Sequence, residues 1–109
     1  MQSFMALSDP TRRRIIELLS RGERAAGEIV DAFAVSAPAI SQHLKVLREA
    51  GLVEMRADAQ RRIYRLNPEG LDEMDAWIRN VRHFWAGRLD DLERELRKPE
   101  AKPGKRSKR

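Results

Sequence analysis

The chain contains no cysteine in 109 residues. That excludes disulfides, a thiolate metal site and a thiol redox switch. It has two histidines, His43 and His83, and a single histidine on a helix cannot complete a specific zinc site. No apolar run is long enough to span a bilayer, and no signal-peptide pattern is present. A cytoplasmic protein with no membrane partner is therefore expected. There is no Ser/His/Asp grouping, no glycine-rich phosphate loop and no paired acid and base on a predicted cleft. Neither an enzyme nor a cofactor is expected. The length allows one domain at most, and a hydrophobic share of 41% builds only a small core, which a dimer interface would enlarge.

The net charge is +5, but its distribution says more than its sum. Residues 98–109 carry Lys98, Lys102, Lys105, Arg106, Lys108 and Arg109 against Glu100, which accounts for the whole excess. The body before them is neutral and polarised: Ser36 to Leu66 is net +3, and Asn67 to Arg97 is net −3. A basic middle therefore stands apart from a basic tail.

The basic middle contains the stretch VSAPAISQHLKVLREAGLV, Val35 to Val53. Ile40, Leu44 and Leu47 fall at i, i+4 and i+7, one stripe of a helix. Pro38, Ser41, Gln42, Lys45 and Arg48 lie on or toward the other side. Ser36 is a natural N-cap, Pro38 fits the first turn, and Gly51 suits a left-handed C-terminal cap with Leu52 resuming the apolar contact. A capped helix with small and polar residues at its front is built for close approach. The favoured partner is the major groove of double-stranded DNA, which admits one helix. The alternative is an ordinary amphipathic surface helix.

Before this stretch, Phe4, Met5 and Leu7 suggest a short helical segment. Asp9 as N-cap and Pro10 as first residue start the next helix, which buries Ile15, Leu18 and Leu19 and stops at Gly22. Arg12, Arg13 and Arg14 in its first turn oppose the helix dipole; an external phosphate or plain solvation answers that. Glu23 to Phe33 reads as another short helix, with Ile29, Val30 and Phe33 on its apolar side. Two helices joined by a few residues make a helix-turn-helix arrangement. After Gly51 the period changes. Leu52 to Ala57 alternates and RRIYRL, Arg61 to Leu66, is rich in strand formers, with Asp58, Ala59 and Gln60 as the link: a β-hairpin. A hairpin directly after such a helix is a wing, and its tip, Gln60, Arg61 and Arg62, is a candidate contact to a minor groove or a phosphate.

Asn67 and Pro68 end the strand, and one long helix is expected from Glu69 to Lys98. Met74, Ile78, Val81, Trp85, Leu89, Leu92 and Leu96 recur along it at spacings of three and four, and Trp77 and Phe84 widen the stripe. A small domain cannot cover so much apolar surface, so the helix reads as a dimerisation helix. The candidate interface is Phe4, Leu7, Met74, Trp77, Ile78, Val81, Trp85 and Leu89. Pro99, Pro103 and Gly104 break any helix, and a disordered basic tail is expected over 99–109.

The residues ALSDPTRRRIIELL, VSAPAISQHLKVLREAGLV and RRIYRL carry a resemblance to the ArsR/SmtB family of bacterial winged-helix repressors. It covers Phe4 to about Lys98, and HLKVLREAGLV before a hairpin is its most specific part. The resemblance implies a mainly α fold with a small β-hairpin, in the order α-α-α-α-β-β-α. It also implies a homodimer that binds a palindromic operator and represses transcription, here of its own operon. Residues 1–98 would form the DNA-binding and dimerisation domain. The family's base-reading positions fall on Ala37, Pro38, Ser41 and Gln42, with Pro38 replacing what is often a polar residue. The family's metal sites do not carry over, because Glu28 to Phe33 has no cysteine and the last helix has only His83, as in a subgroup lacking them.

Two other readings compete. The same surface could serve a protein–protein adaptor, but such a surface would more often expose aromatics. Alternatively, an organic effector could bind near Trp77, Phe84 and Trp85, although aromatics at helical spacing more often pack a core.

Overall fold

A computed structural model describes residues 2–97; the expected basic tail lies outside the described residues. The chain divides into two compact units, Met1–Asp75 and Ala76–Arg109.

In the first unit the order is α1 (Gln2–Ala6), α2 (Pro10–Leu19), β1 (Arg24–Ala25), α3 (Ala26–Asp31), α4 (Ala37–Glu49), β2 (Val53–Asp58) and β3 (Arg61–Leu66), followed by the start of α5 (Pro68–Arg97). The strands form an antiparallel sheet in the order β1-β3-β2. The expected order lacked β1, and the expected helix from Glu23 begins only at Ala26. Arg24 and Ala25 instead pair with Tyr64 and Ile63. Two residues are too few to set an alternating pattern, and the pairing depends on a strand forty residues away. The last helix starts at Pro68 rather than Glu69, as suits proline at the first helical position.

Local chemistry explains each helix end. The Asp9 carboxylate accepts the Arg12 N–H at 3.0 Å and caps α2. Ser36 Oγ accepts the Ala39 N–H at 3.3 Å and caps α4. At the start of α3 the cap residue is Ala25, which has no side chain to offer; Glu28 compensates by accepting the Ala25 N–H at 2.7 Å. The end of α4 is a full Schellman motif: Leu52 N–H donates to Leu47 O and Gly51 N–H to Arg48 O, each at 3.0 Å, with Gly51 at φ +78°. That conformation costs an L side chain about 1–2 kcal/mol.

Ile15, Ile29, Ile40, Leu44, Leu47 and Leu52 are the largest fully buried side chains, so α2, α3, α4 and the turn after α4 feed one core. Each contributes roughly 1.5–3 kcal/mol by leaving water. Leu18, expected in the core, is only half-buried, and Leu19 takes the central place.

The first turn of α5 sits against the end of α4. Asn67 Nδ2 donates to Gly51 O at 2.9 Å, and Asn67 Oδ1 accepts the Glu69 N–H at 3.1 Å. A Cβ on Gly70 would lie 2.0 Å from Gly51 O, so only glycine permits this approach.

In the second unit every described residue of α5 is exposed. Trp77, Ile78, Val81, Phe84, Trp85, Leu89, Leu92 and Leu96 all stand in the open within the single chain. No described helix is long and apolar enough to cross a membrane.

Candidate nucleic-acid interface

The buried stripe of α4 fixes which residues it presents. With Ile40, Leu44 and Leu47 turned inward, Ala37, Pro38, Ser41, Gln42, Lys45 and Arg48 are all exposed. Arg48 in the last turn sits where the helix dipole favours a cation. Proline at the second helical position leaves the cap intact, because Ser36 O still accepts the Ile40 N–H at 3.0 Å.

The wing is a two-residue hairpin: Asp58 pairs with Arg61, and Ala59 and Gln60 form the turn. Ala59 has φ +58°. Gln60, Arg61 and Arg62 are exposed. Arg62 pairs with Ala57 and shares a face with Tyr64 and Leu66, so it turns toward α4. Ser41, Lys45 and Arg48 of α4 and Arg62 of β3 line one concavity of about 700 Å³. Arg61 lies on the opposite face of the strand with Ile63 and Arg65.

The chain does not use its cations uniformly. On the outer face of the sheet, Arg56 makes a two-pronged pair with Glu23 at 2.6 and 3.0 Å, and Arg65 pairs with Glu54 at 2.8 Å. These pairs flank Ile63, which is 5% exposed, and the first ties the approach to β1 onto β2. The Arg56 hydrogen bond holds the Glu23 carboxyl below its ordinary range and raises the guanidinium in return. By contrast, Ser41, Gln42, Lys45, Arg48, Gln60, Arg61 and Arg62 make no side-chain hydrogen bond or ion pair among the described residues.

The arginines at the start of α2 behave differently from either expectation. Arg12 Nε donates to Ala6 O at 2.5 Å, and Arg13 donates to Leu7 O at 2.8 Å. These carbonyls end α1 and lack helical partners of their own, so a cation satisfies them. Arg12 and Arg13 are thus engaged internally, while Arg14 remains exposed. His43 packs beside α4 against Arg12 and Asp9. Asp9 is held below its usual range, first by the Arg12 backbone N–H and further by the Arg12 charge, against an opposing burial effect.

The apolar residues assigned to an interface divide. Met74 is 8% exposed and packs in the core of the first unit. Phe4 and Leu7 are half-buried against the same core. Trp77, Ile78, Val81, Trp85 and Leu89 are exposed along α5 in the second unit. Among the described residues no group of three or more His, Asp or Glu side chains could hold a metal ion.

Helices α2, α3 and α4, the last with a free polar edge, followed by a two-stranded wing, make a winged helix-turn-helix. The model of the bacterial regulatory proteins of the ArsR family matches residues 9–55, and this chain belongs to that family. It is 43% identical over 88 residues to the HTH-type transcriptional regulator Rv2034 of Mycobacterium tuberculosis, spanning 81% of this chain and 79% of that one. It is 40% identical over 77 residues to the transcriptional repressor SdpR of Bacillus subtilis, 71% of this chain and 86% of the other. Among solved structures, a possible transcriptional regulator for arsenical resistance is similar at TM-score 0.70 and 41% identity, covering 87% of this chain and 96% of that one. A homodimeric winged helix-turn-helix DNA-binding domain from Mycobacterium bovis is similar at TM-score 0.62 and 32% identity, covering 75% and 76%.

Proposed function

We propose that this protein is a homodimeric, sequence-specific DNA-binding repressor acting on a palindromic operator of its own operon. The observation that carries the reading is the set of unengaged polar groups. Ser41, Lys45 and Arg48 on α4, with Arg62 on the wing, stand free around one concavity, and Gln42 stands free beside Ser41 on the same helix, in a chain that pairs Arg56 and Arg65 internally. Ala37, Pro38, Ser41 and Gln42 meet base edges, while Lys45, Arg48, Gln60, Arg61 and Arg62 meet phosphates or the neighbouring minor groove.

The dimer is held by the exposed stripe of α5, with Trp77, Ile78, Val81, Trp85 and Leu89 at its seam. A stripe of that size left in water would be a liability on a monomer. Two-fold symmetry then presents two copies of α4 to two half-sites. The relatives' printed functions and the homodimeric state of the Mycobacterium bovis domain support this reading. A mobility shift with the DNA immediately upstream of the coding sequence tests it. A complex that survives excess random DNA is expected; equal retention of both DNAs would contradict sequence-specific binding.

A further inference from the structure

Arg12 is a partly buried cation in the first turn of α2, where the helix dipole already points its positive end. Its side chain connects three elements. Nε donates to Ala6 O at the end of α1 at 2.5 Å, and Nη1 reaches Nδ1 of His43 on α4 at 3.2 Å. A guanidinium only donates, so Nδ1 is the acceptor and the neutral ring carries its proton on Nε2. That nitrogen faces Asp9 Oδ2 at 3.9 Å, and the same oxygen accepts the Arg12 backbone N–H at 3.0 Å. Asp9, Arg12 and His43 thus form a closed circuit between the front of α2 and the middle of α4.

His43 directly follows Gln42 and lies between Ser41 and Lys45, all three of them exposed and unengaged. At the end of α4, Ser3 Oγ donates to Ala50 O at 3.3 Å and Asn67 Nδ2 to Gly51 O at 2.9 Å; along its length the remaining grip is the apolar stripe, Ile40, Leu44 and Leu47. The stripe fixes which face of α4 turns outward, but hydrophobic contact is non-directional and leaves the fine rotation of the helix unset. A hydrogen bond has direction, and reading a base edge requires it. We propose that Arg12 and His43 are positioning residues that set the rotation of α4, so that Ser41 and Gln42 address the bases correctly. The inference rests on the DNA-binding reading above.

The test uses the full chain with three variants, Arg12→Met, His43→Leu and His43→Asn. Affinities for the upstream DNA and for random DNA are measured at one salt concentration and pH. Asparagine places an acceptor close to where Nδ1 stands; leucine does not. Arg12→Met and His43→Leu should each lose roughly tenfold in operator affinity relative to random DNA, the scale of one hydrogen bond to a charged group. His43→Asn should stay near wild type, and the Arg12→Met/His43→Leu double variant should be little worse than either single one, because both remove the same contact. In the wild type, ring ¹⁵N shifts at neutral pH should report the Nε2–H tautomer of His43, and Arg12→Met should lose that preference. If Arg12→Met does not fold, the two His43 variants carry the test. Equal loss in His43→Asn and His43→Leu, or losses that fall equally on random DNA, would overturn the positioning role. A wild type that does not distinguish the two DNAs would instead overturn the DNA-binding reading itself, and with it this inference.

Discussion

Replacing Gly70 with alanine should destabilise the fold, although the same exchange in an exposed helix normally does the reverse. The added Cβ would stand 2.0 Å from Gly51 O and 2.9 Å from Gly51 C. Ordinary contact begins near 3.4 Å, so the first turn of α5 must lift by more than an ångström. Both neighbours are backbone atoms of Gly51, which is locked in the Schellman motif, so no flexible side chain can give way. Overpacking of this kind costs about 1–3 kcal/mol. The lift also stretches the Asn67–Gly51 hydrogen bond now at 2.9 Å, worth about 0.5–1.5 kcal/mol. Against this stands the gain of alanine over glycine in a helix, about 0.5–1 kcal/mol. The net expectation is a loss of roughly 2 kcal/mol. Gly87→Ala provides the control, since it lies in the same helix with nothing within 4 Å of its added Cβ; it should gain about 0.5–1 kcal/mol. Urea unfolding of both variants and the wild type at equal protein concentration measures the difference. If Gly70→Ala were stabilised as much as Gly87→Ala, the close approach of α5 to the α4 turn would be refuted.

Trp85→Asp places a charge in the apolar stripe of α5, where burial in a seam without a partner is costly. Sedimentation at micromolar concentration should find monomer or unfolded chain, whereas a folded, unchanged dimer would remove Trp85 from the seam. Acid should weaken the fold in a definite window. Asp9 and Glu23 titrate below their ordinary values in the folded state, so the stability they contribute is complete above their unfolded pKa values, about 4, and is lost as pH falls through the lowered ones. Asparagine caps a helix about as well as aspartate. Asp9→Asn should therefore lose less stability than wild type between neutral pH and pH ~3, read from urea midpoints, and a parallel loss in both proteins would argue against the Asp9 contribution.

The elements with local signals were legible in the sequence. Asp9 with Pro10, Ser36 with Pro38, and Gly51 with Leu52 announced the ends of α2 and α4, because caps act within one turn. The spacing of Ile40, Leu44 and Leu47 then fixed the outward face of α4 without reference to the rest of the chain. What depended on distant partners was not legible. β1 exists through Tyr64 and Ile63, and Arg12 and Arg13 found carbonyls that only the packing of α1 brings near. Met74 shares a stripe with Ile78 and Val81, yet the core covers the first and leaves the others exposed. Periodicity gives a face, not the neighbour that covers it. Asn67 read only as the end of a strand, and its hold on Gly51 required the fold to be known.

The most direct measurement is the affinity of wild type and Gln42→Ala for the upstream DNA and for random DNA of equal length, at one salt concentration. Gln42 is exposed and unengaged near the front of α4, and a bidentate amide–adenine contact is worth roughly 1–3 kcal/mol of discrimination. Wild type should prefer the upstream DNA, and Gln42→Ala should lose most of that preference while binding random DNA as before. A loss of equal size on both DNAs would contradict the assignment of α4's polar edge to base reading.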